Sequence, residues 1–349
     1  MATENQLAGI RSARTLRVLR CTLATALALT IALSCASVLG HQRIWWLELT
    51  RYVPYPLYVA GAMTAVGLSL FLGRVWRLAS LLALGLVLTV VMGLAVGRED
   101  KGSVGLRVMT YNVKAYLTSA RADGYSRIAW EVIQADPDIL VMQDANHLIS
   151  AGEPISMAVS TMLGQREVYA YGQYVVASRY PLRGCRSGDI SFRGNAHSYV
   201  RCTVLVSGAE VELVTAHFLS PREGLNATRQ RGGLEDWEQN FADRVAQADR
   251  LATDLEASPR PLIVAGDLNA PEGSPIVHAL LDTGLRDAFS SASFGYGYTH
   301  GHALRPGISF LRIDHILLSR TLGVRDCFVG GKDGSEHRPV IADLWMTRE

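Results

Sequence analysis

The chain has 349 residues with 34 Lys and Arg against 32 Asp and Glu, but these charges are unevenly distributed. The first 97 residues contain eight arginines and two acids, which leaves 26 basic and 30 acidic residues in the remainder. Domains that bind many nucleic-acid phosphates carry an excess of Lys and Arg, so the acidic remainder disfavours nucleic acid as a partner.

Three apolar runs in the first hundred residues predict transmembrane helices at 21–40, 53–73 and 78–97. Each run holds about 20 residues, which at ~1.5 Å per residue covers the ~30 Å hydrocarbon layer of a bilayer. None of the three contains a charged residue. A cleaved signal peptide accounts for the first run only, so we predict a multi-pass membrane anchor.

The positions of the basic residues predict how this anchor is oriented. Six arginines precede the first run or lie between the second and third: Arg11, Arg14, Arg17, Arg20, Arg74 and Arg77. The other side has four basic residues: Arg43, Arg51, Arg98 and Lys101. The positive-inside rule therefore places residues 1–20 in the cytoplasm and everything after residue 97 outside the cell (inner) membrane. A linker at 98–105 then leads to a large domain at 106–349.

The large domain alternates between short β-rich runs and helical stretches. Strands are predicted at 106–113, 138–143, 174–179, 199–206, 211–218, 261–269, 313–319 and 338–346. Helices are predicted at 127–136 and about 236–255. Because strands outnumber helices and several strand pairs have no helix between them, we predict an α/β domain with mixed or antiparallel sheets.

The large domain has three cysteines, so at least one of them is unpaired within it. Cys185 and Cys202 are roughly equidistant from the middle of the predicted turn at 191–197, and an antiparallel pair can bring such positions face to face. Two free thiols are the alternative, since a one-residue slip places the side chains on opposite faces. We hypothesise that an oxidising compartment favours the Cys185–Cys202 bond and leaves Cys327 free.

Polar side chains end several predicted strands. In "VAGDLNAP", Asp267 and Asn269 are two residues apart, so in an extended segment both point to one face and can reach one ligand. An ordinary turn also favours Asp and Asn through local hydrogen bonds. Further polar residues lie at or near strand ends: Asn112, Gln143, Asp144, His217, Asp314, His315, Glu336 and His337. We predict that this set lines one pocket, although for His315 a structural role is the preferred interpretation.

Six motifs in order resemble the endonuclease/exonuclease/phosphatase superfamily, which includes deoxyribonuclease I-like enzymes, inositol phosphatases and neutral sphingomyelinases. The motifs are "TYNV", "PDILVMQD", "TAHF", "GDLN", "IDHILLS" and "SEHRPV". The resemblance covers residues 106–346. It implies a four-layer α/β sandwich, in which two mixed sheets lie face to face with helices outside.

The resemblance also implies a role for each catalytic residue. Asp267 would orient and deprotonate the attacking water, with support from Asn269. His337 would hydrogen-bond the phosphoryl oxygens, while Asp314 holds its ring and stabilises its cationic form. His217 would contact the phosphate from another side. This division of labour fits the chemistry, because a phosphoester repels hydroxide until its charge is neutralised.

The same resemblance implies a divalent metal held by Asp144, with Asn112 close by. Carboxylate and carboxamide oxygens favour Mg²⁺ or Mn²⁺. The family usually has Glu at the position of Asp144 and Asp at that of Glu336. Three interpretations follow: a displaced metal held from the other side by Glu336, weakened metal binding, or a degenerate site.

Together these observations predict a membrane-anchored, metal-dependent phosphoesterase acting on a phosphate ester or pyrophosphate at the extracytoplasmic face of the membrane. Because tethering holds the site near the bilayer, we expect a lipid-linked substrate. The arrangement of three spans before the domain resembles the membrane-bound bacterial members linked to glycopeptide resistance. The alternatives are a metal-dependent nuclease and a non-catalytic binding module with a degenerate site.

Overall fold

The computed structural model describes residues 4–38, 42–102, 105–256, 258, 260–304 and 307–346, with side chains from residue 13 onward. The chain forms two compact units. The first contains the residues up to 42 together with 49–94, and the second contains 43–48 together with the residues from 95 onward.

The first unit is helical. Its helices are α1 Glu4–Val38, α2 Trp45–Arg51, α3 Tyr55–Ser69 and α4 Arg74–Leu86, and a π-helical turn at Val87–Val91 extends α4. The first part of α2, up to residue 48, belongs to the second unit. Two segments are long and apolar enough to cross a membrane, 13–38 and 74–91. Helix α3 has 15 residues, about 22 Å of helix, so it is shorter than the predicted 53–73 and than a hydrocarbon layer. By length and composition, two of the three predicted spans are therefore present.

The second unit contains sixteen short or medium strands among its described residues, together with seven further helices. The strands are β1 Ala95–Val96, β2 Leu106–Asn112, β3 Ile139–Gln143, β4 Ile149–Ser150, β5 Glu153–Pro154, β6 Glu167–Tyr171, β7 Tyr174–Ser178, β8 Leu182–Asp189, β9 Ser198–Val206, β10 Ala209–Thr215, β11 Leu262–Asp267, β12 Arg286–Asp287, β13 Phe294–Gly295, β14 Asp314–Leu318, β15 Leu322–Val329 and β16 Val340–Met346. The helices are α5 Ala115–Thr118, α6 Ser126–Ala135, α7 Met157–Leu163, α8 Arg222–Ala227, α9 Gly233–Glu256, α10 Pro275–Leu281 and α11 Ala288–Ala292.

Two six-stranded sheets form the centre of this unit. Their strand orders are β15-β16-β2-β3-β7-β6 and β12-β14-β11-β10-β9-β8. Strands β2 and β3 are parallel in the first sheet, and β10 and β11 are parallel in the second. The other ladders of both sheets are antiparallel. Both sheets are therefore mixed, which is one of the two arrangements that the strand pattern predicts.

Three clusters of buried apolar side chains show the order of the layers. One cluster joins the facing sides of the sheets and includes Val141 of β3 and Leu213 of β10. A second packs α6 and α7 on the outside of the first sheet, and a third packs α9 and α10 on the outside of the second. Helices, sheet, sheet and helices thus form the predicted four-layer sandwich. Strand β3 is buried along its whole length, which explains its unbroken apolar sequence.

Every strand predicted in the large domain is present, and the long strands that were missed lie at sheet edges. These are β6, β8 and β15. Strands β6 and β8 have no buried residue, and β15 is buried at only half of its positions, so their sequences do not show the apolar pattern by which inner strands are recognised. Strand β8 is an example, because its arginines Arg183 and Arg186 are exposed.

Cys185 and Cys202 form a disulfide, as hypothesised, with their Cα atoms 4.1 Å apart. The pairing of β8 with β9 shifts register between Arg183 and Arg186, and this irregularity places the two cysteines opposite each other. Cys327 is a buried free thiol. The three cysteines of the large domain are therefore arranged as the hypothesis requires.

A short segment from between the first two predicted spans belongs to the second unit. Arg43 forms a two-pronged ion pair with Asp249 of α9, at 2.6 and 2.7 Å. The carbonyl oxygen of Trp45 accepts a hydrogen bond of 2.9 Å from the indole nitrogen of Trp237. The sequence predicts only a connection between two spans here, because nothing local marks these residues as part of the large domain.

Candidate active site

Strand directions bring the predicted site residues to one rim. Strands β2, β3 and β11 end there, and β10 ends just before His217, which bridges to Asp267 in parallel. Strands β14 and β16 run antiparallel to β11 and β2, so they begin at the same rim. A hydrogen bond of 2.8 Å from Asn112 Nδ2 to Asp267 Oδ2 joins the two sheets across this rim.

Asp267 is fully buried at the centre of the site. Its Oδ2 atom accepts from Asn112 and lies 3.5 Å from His217 Nε2 and 3.7 Å from His337 Nδ1. Its Oδ1 atom accepts a hydrogen bond of 2.9 Å from the backbone nitrogen of Asn269. The carboxylate is thus oriented by two hydrogen-bond donors and has an imidazole on either side.

Asn269 does not have the extended conformation that its two-residue spacing from Asp267 indicates. Strand β11 ends at Asp267, and Asn269 has a φ of 50°, in the left-handed region that Asn tolerates better than most residues. Its side-chain Nδ2 donates to the Phe218 carbonyl at 2.8 Å. Asn269 therefore fixes the turn after the strand and binds Asp267 through its main chain.

His337 and Asp314 are paired, as the resemblance implies. His337 Nδ1 lies 3.0 Å from Asp314 Oδ2, and the His337 ring lies against that of His300, with 4.6 Å between centroids. Burial lowers the pKa of His337 to about 4 and raises the pKa of Asp314 to about 6. A buried ring in these surroundings is neutral at pH 7, so the expected cationic form requires negative charge from a bound phosphate.

His217 is held by residues that the sequence does not single out. Its Nδ1 atom lies 2.6 Å from Gln173 Oε1, and its backbone nitrogen donates to the Tyr174 hydroxyl at 3.0 Å. This contact holds the imidazole ring so that Nε2 faces Asp267. The orientation of His217 is therefore set by its neighbours in the fold.

Asp144 is paired with a lysine that the sequence analysis missed. Lys114 Nζ lies 2.5 Å from Asp144 Oδ2, and His217 Nδ1 lies 3.7 Å from Asp144 Oδ1. Burial opposes ionisation of Asp144, but His217 and Lys114 outweigh it and lower the pKa of this carboxyl. The sequence does contain a signal for this lysine, because Lys114 follows Asn112 at the same two-residue spacing that links Asp267 to Asn269.

Two other polar residues at strand ends, Gln143 and His315, make contacts that are typical of a structural role. Gln143 is buried and its Nε2 atom donates to the hydroxyl oxygens of Thr110 and Thr215, one in each sheet. His315 Nε2 contacts the Ala270 carbonyl at 2.9 Å, and its Nδ1 is bound by a buried carboxylate of the core. These contacts agree with the structural role preferred for His315.

The donor atoms of the site fit a divalent cation. One oxygen each from Asp267 and Asp314 and a ring nitrogen of His337 lie within 4.8 Å of one another. Asp144, the predicted metal ligand, is not one of these three residues and is instead bound to Lys114. Glu336 is half-buried and forms no hydrogen bond or ion pair with the described residues, so its part in holding a metal stays a prediction. Carboxylate oxygen with imidazole nitrogen suits Mg²⁺, Mn²⁺ or a similar ion.

A cavity of about 610 Å³ opens beside Asp144. Its lining is polar and includes Asn146, Gln173, Asp189, Ser191 and His197. None of the residues that line it has an aliphatic side chain larger than that of alanine. A cavity with this lining, to which Tyr171 adds an aromatic ring, offers many hydrogen-bonding groups, which suits a hydroxylated group better than a hydrocarbon chain.

Carboxylates, imidazoles and a lysine lie together at one rim of the two sheets. Such a set of groups suits metal-assisted hydrolysis of phosphate bonds. The model of the Endonuclease/Exonuclease/phosphatase family matches residues 109–337, and the chain belongs to this family. Members of the family are generally metal-dependent hydrolases that act on phosphoester bonds.

Solved structures show the same fold at low sequence identity. A family protein from Bacteroides thetaiotaomicron is 18% identical, with a TM-score of 0.54 over 70% of this chain and 98% of its own. The mannosyl-6-phosphatase Bt3783 of the same organism is 17% identical, with a TM-score of 0.51 over 69% and 100%. Truncated TDP2 from Caenorhabditis elegans is also 17% identical, with a TM-score of 0.51 over 69% and 97%. No curated protein matches the chain.

Proposed function

We propose that this protein is a membrane-anchored, divalent-metal-dependent phosphoesterase that hydrolyses a lipid-linked phosphate ester or pyrophosphate at the extracytoplasmic face of the membrane. The observation that carries the proposal is the position of Asp267 between two imidazoles. His217 Nε2 and His337 Nδ1 lie 3.5 and 3.7 Å from the same carboxylate oxygen. This is an arrangement in which one base and two phosphate-binding groups face a single reacting centre.

Each residue then has a defined task in hydrolysis. Asp267 takes a proton from water, and its two hydrogen-bond donors keep the carboxylate aimed at that water. His217 and His337 donate to phosphoryl oxygens as negative charge develops on them. Lys114 adds a fixed positive charge beside Asp144. A divalent metal held by Asp144 and Asn112 would neutralise further phosphate charge.

The segment 43–48 supports the three-span topology. Because it packs with residues from 95 onward, both lie on one side of any membrane, and the chain between them must cross an even number of times. The candidate span at 74–91 supplies one crossing. Helix α3, although short, is then needed for the other. Local thinning of the bilayer can accommodate such a helix at modest cost.

Placement of the domain outside the cytoplasm has two supports. The arginines of residues 1–20 favour a cytoplasmic N-terminus, and three crossings then lead outside. The Cys185–Cys202 disulfide is a bond that oxidising compartments maintain and the cytosol reduces. Protease added to intact spheroplasts should therefore remove the domain. Cleavage only after the cells are opened would contradict this placement.

The cavity beside Asp144 favours a substrate whose phosphate carries a hydroxylated group, such as the head group of a phospholipid or of a glycosylated lipid. Its polar lining would hold that group while the hydrocarbon chains remain in the bilayer. The structural likeness to a mannosyl-6-phosphatase points in the same direction.

A substrate panel tests the proposal. The full chain in lipid nanodiscs would be assayed with Mg²⁺, Mn²⁺ or a chelator against phosphoinositide, a polyprenyl pyrophosphate, a sugar phosphate and DNA. We expect chelator-sensitive release of phosphate or of a phosphorylated head group from a lipid substrate, and none from the variant Asp267→Asn. Hydrolysis of DNA alone would favour the nuclease alternative. Inactivity on the whole panel would favour a binding module.

A further inference from the structure

Glu48 is a buried acid at the end of the segment 43–48. It is 1% exposed, and its Oε1 atom accepts a hydrogen bond of 2.8 Å from the Ser274 hydroxyl. The same oxygen lies 3.7 Å from Nη1 of Arg244. A buried carboxylate is tolerated when such partners compensate its charge. This residue from a connection between membrane helices is therefore built into the interior of the second unit.

Arg244 carries the contact from Glu48 to the active site. It lies on α9 with no exposed surface, and its Nε atom donates to Asn240 Oδ1 at 3.0 Å. Its guanidinium lies over the Trp237 ring, 5.2 Å from the centroid. Its Nη1 atom, the one nearest Glu48, donates to the Asn269 carbonyl at 3.4 Å. Arg244 thus bridges the buried acid and the turn that follows β11.

This turn positions the proposed base. The Asn269 backbone nitrogen donates to Asp267 Oδ1, and its left-handed conformation depends on being held from several sides. A shift of this peptide would move a donor that orients the base. Small displacements of a reacting group cost large factors in rate even when the overall fold is unchanged.

We propose that Glu48 and Arg244 are positioning residues: the connection between the first two membrane helices completes the support of the active site by holding Arg244 against the Asn269 peptide. Where the effect of Glu48 is measured as a rate of hydrolysis, the inference rests on the proposed function. It implies that the membrane segment is part of the enzyme's working structure and does more than tether it.

The test uses the full chain in nanodiscs with bis(4-nitrophenyl) phosphate as the probe. Glu48→Gln keeps the shape of the side chain and removes its charge. Arg43→Ala is the matched control, because it breaks the more exposed Arg43–Asp249 pair of the same segment. We expect Glu48→Gln to lower kcat about tenfold with little change in KM, and Arg43→Ala to stay within about twofold of the parent.

A double-mutant cycle separates positioning from general destabilisation. If Glu48 acts by holding Arg244 against the Asn269 turn, Glu48→Gln should cost much less in an Arg244→Met background than in the parent. Equal costs in both backgrounds would overturn the inference. If Glu48→Gln does not fold, Glu48→Asp keeps the charge on a shorter arm and should give a smaller loss of kcat with the same coupling.

Hydrogen exchange gives a readout that needs no substrate. The amides of residues 268–270 should exchange faster in Glu48→Gln than in the parent, and Arg43→Ala should leave them unchanged. Unchanged exchange in Glu48→Gln would overturn the inference whatever the enzyme hydrolyses. Faster exchange in a protein that is inactive on every phosphoester would support the positioning contact and reject the proposed function.

Discussion

Two neighbouring residues of β14, Asp314 and His315, belong to two buried Asp–His pairs with opposite electrostatics. In the first pair, His315 Nδ1 lies 2.8 Å from Asp287 Oδ2. Burial opposes ionisation of Asp287, but Arg312 and His315 outweigh it and lower the pKa of this carboxyl. In the second pair, burial dominates and raises the pKa of Asp314 to about 6.

The difference distinguishes a structural pair from the pair that we propose acts in hydrolysis. Asp287 receives hydrogen bonds from Arg312 at 2.8 Å and from the Ser290 backbone at 2.9 Å, so its charge is compensated within the fold. Among the described contacts, no arginine or lysine binds the carboxylate of Asp314 or the ring of His337. Strongly shifted pKa values that the fold does not compensate are typical of sites that bind a charged ligand.

The largest expected effect comes from breaking the compensated pair. Asp287→Asn leaves Arg312 without a buried carboxylate partner, although Glu272 remains beside it. Because an uncompensated buried charge is costly, we expect the free energy of unfolding to fall by about 3 kcal/mol. Thermal unfolding in nanodiscs would measure this. A variant as stable as the parent would show that the pair is not structural.

Asp267→Asn tests the functional pair through the carboxylate between its two imidazoles. Removal of the base should lower kcat by at least about 10²-fold while the thermal midpoint stays near that of the parent. Asp343→Asn is the matched control, since it makes the same change at a carboxylate that is paired with Arg107 outside the site. Near-normal turnover by purified, folded Asp267→Asn would refute the assignment of the base.

Asp314→Asn should make the protein more stable at neutral pH while impairing hydrolysis. The folded-state pKa of Asp314 is about 6, above its ordinary value near 3.8, so its favourable contribution exists at low pH and is lost as pH rises through 6. Asparagine does not ionise and avoids that cost, which is about 3 kcal/mol at pH 7.5. The gain in the thermal midpoint should vanish near pH 4. An equal gain at both pH values would contradict the electrostatic cause.

Lys114→Met sharpens the comparison by removing a lysine whose charge acts on both Asp314 and His337. Lys114 is bound to Asp144, so we expect Mn²⁺ to bind more tightly, by about tenfold, while hydrolysis becomes slower. Mn²⁺ binding to the protein without substrate can be followed by electron paramagnetic resonance. Lys114→Arg, which keeps the charge, should retain most of the parent's behaviour. Unchanged Mn²⁺ affinity in Lys114→Met would show that the lysine does not compete with the metal.

Much of the fold follows from local sequence pattern. The inner strands are apolar over their whole length or alternate regularly, and this made β2, β3, β9, β11 and β14 predictable. Edge strands such as β8 lack that pattern, because one side of the strand faces solvent. The motifs likewise located Asp267, His217 and His337, since each follows or precedes an inner strand.

The sequence by itself determined the inner strands, the rim on which the polar strand ends meet, and the apolar segments near the N-terminus, because these depend on local hydrophobic pattern and residue order. The four layers were predicted only through the resemblance of the motifs to a known family. Only the tertiary structure decided in which buried Asp–His pair the charge of the carboxylate is compensated, that Lys114 binds Asp144, and that Glu48 reaches Arg244. Those contacts join residues far apart in the chain, up to 196 positions for Glu48 and Arg244, and their energies depend on burial and on charges from several elements at once. No local pattern encodes that combination.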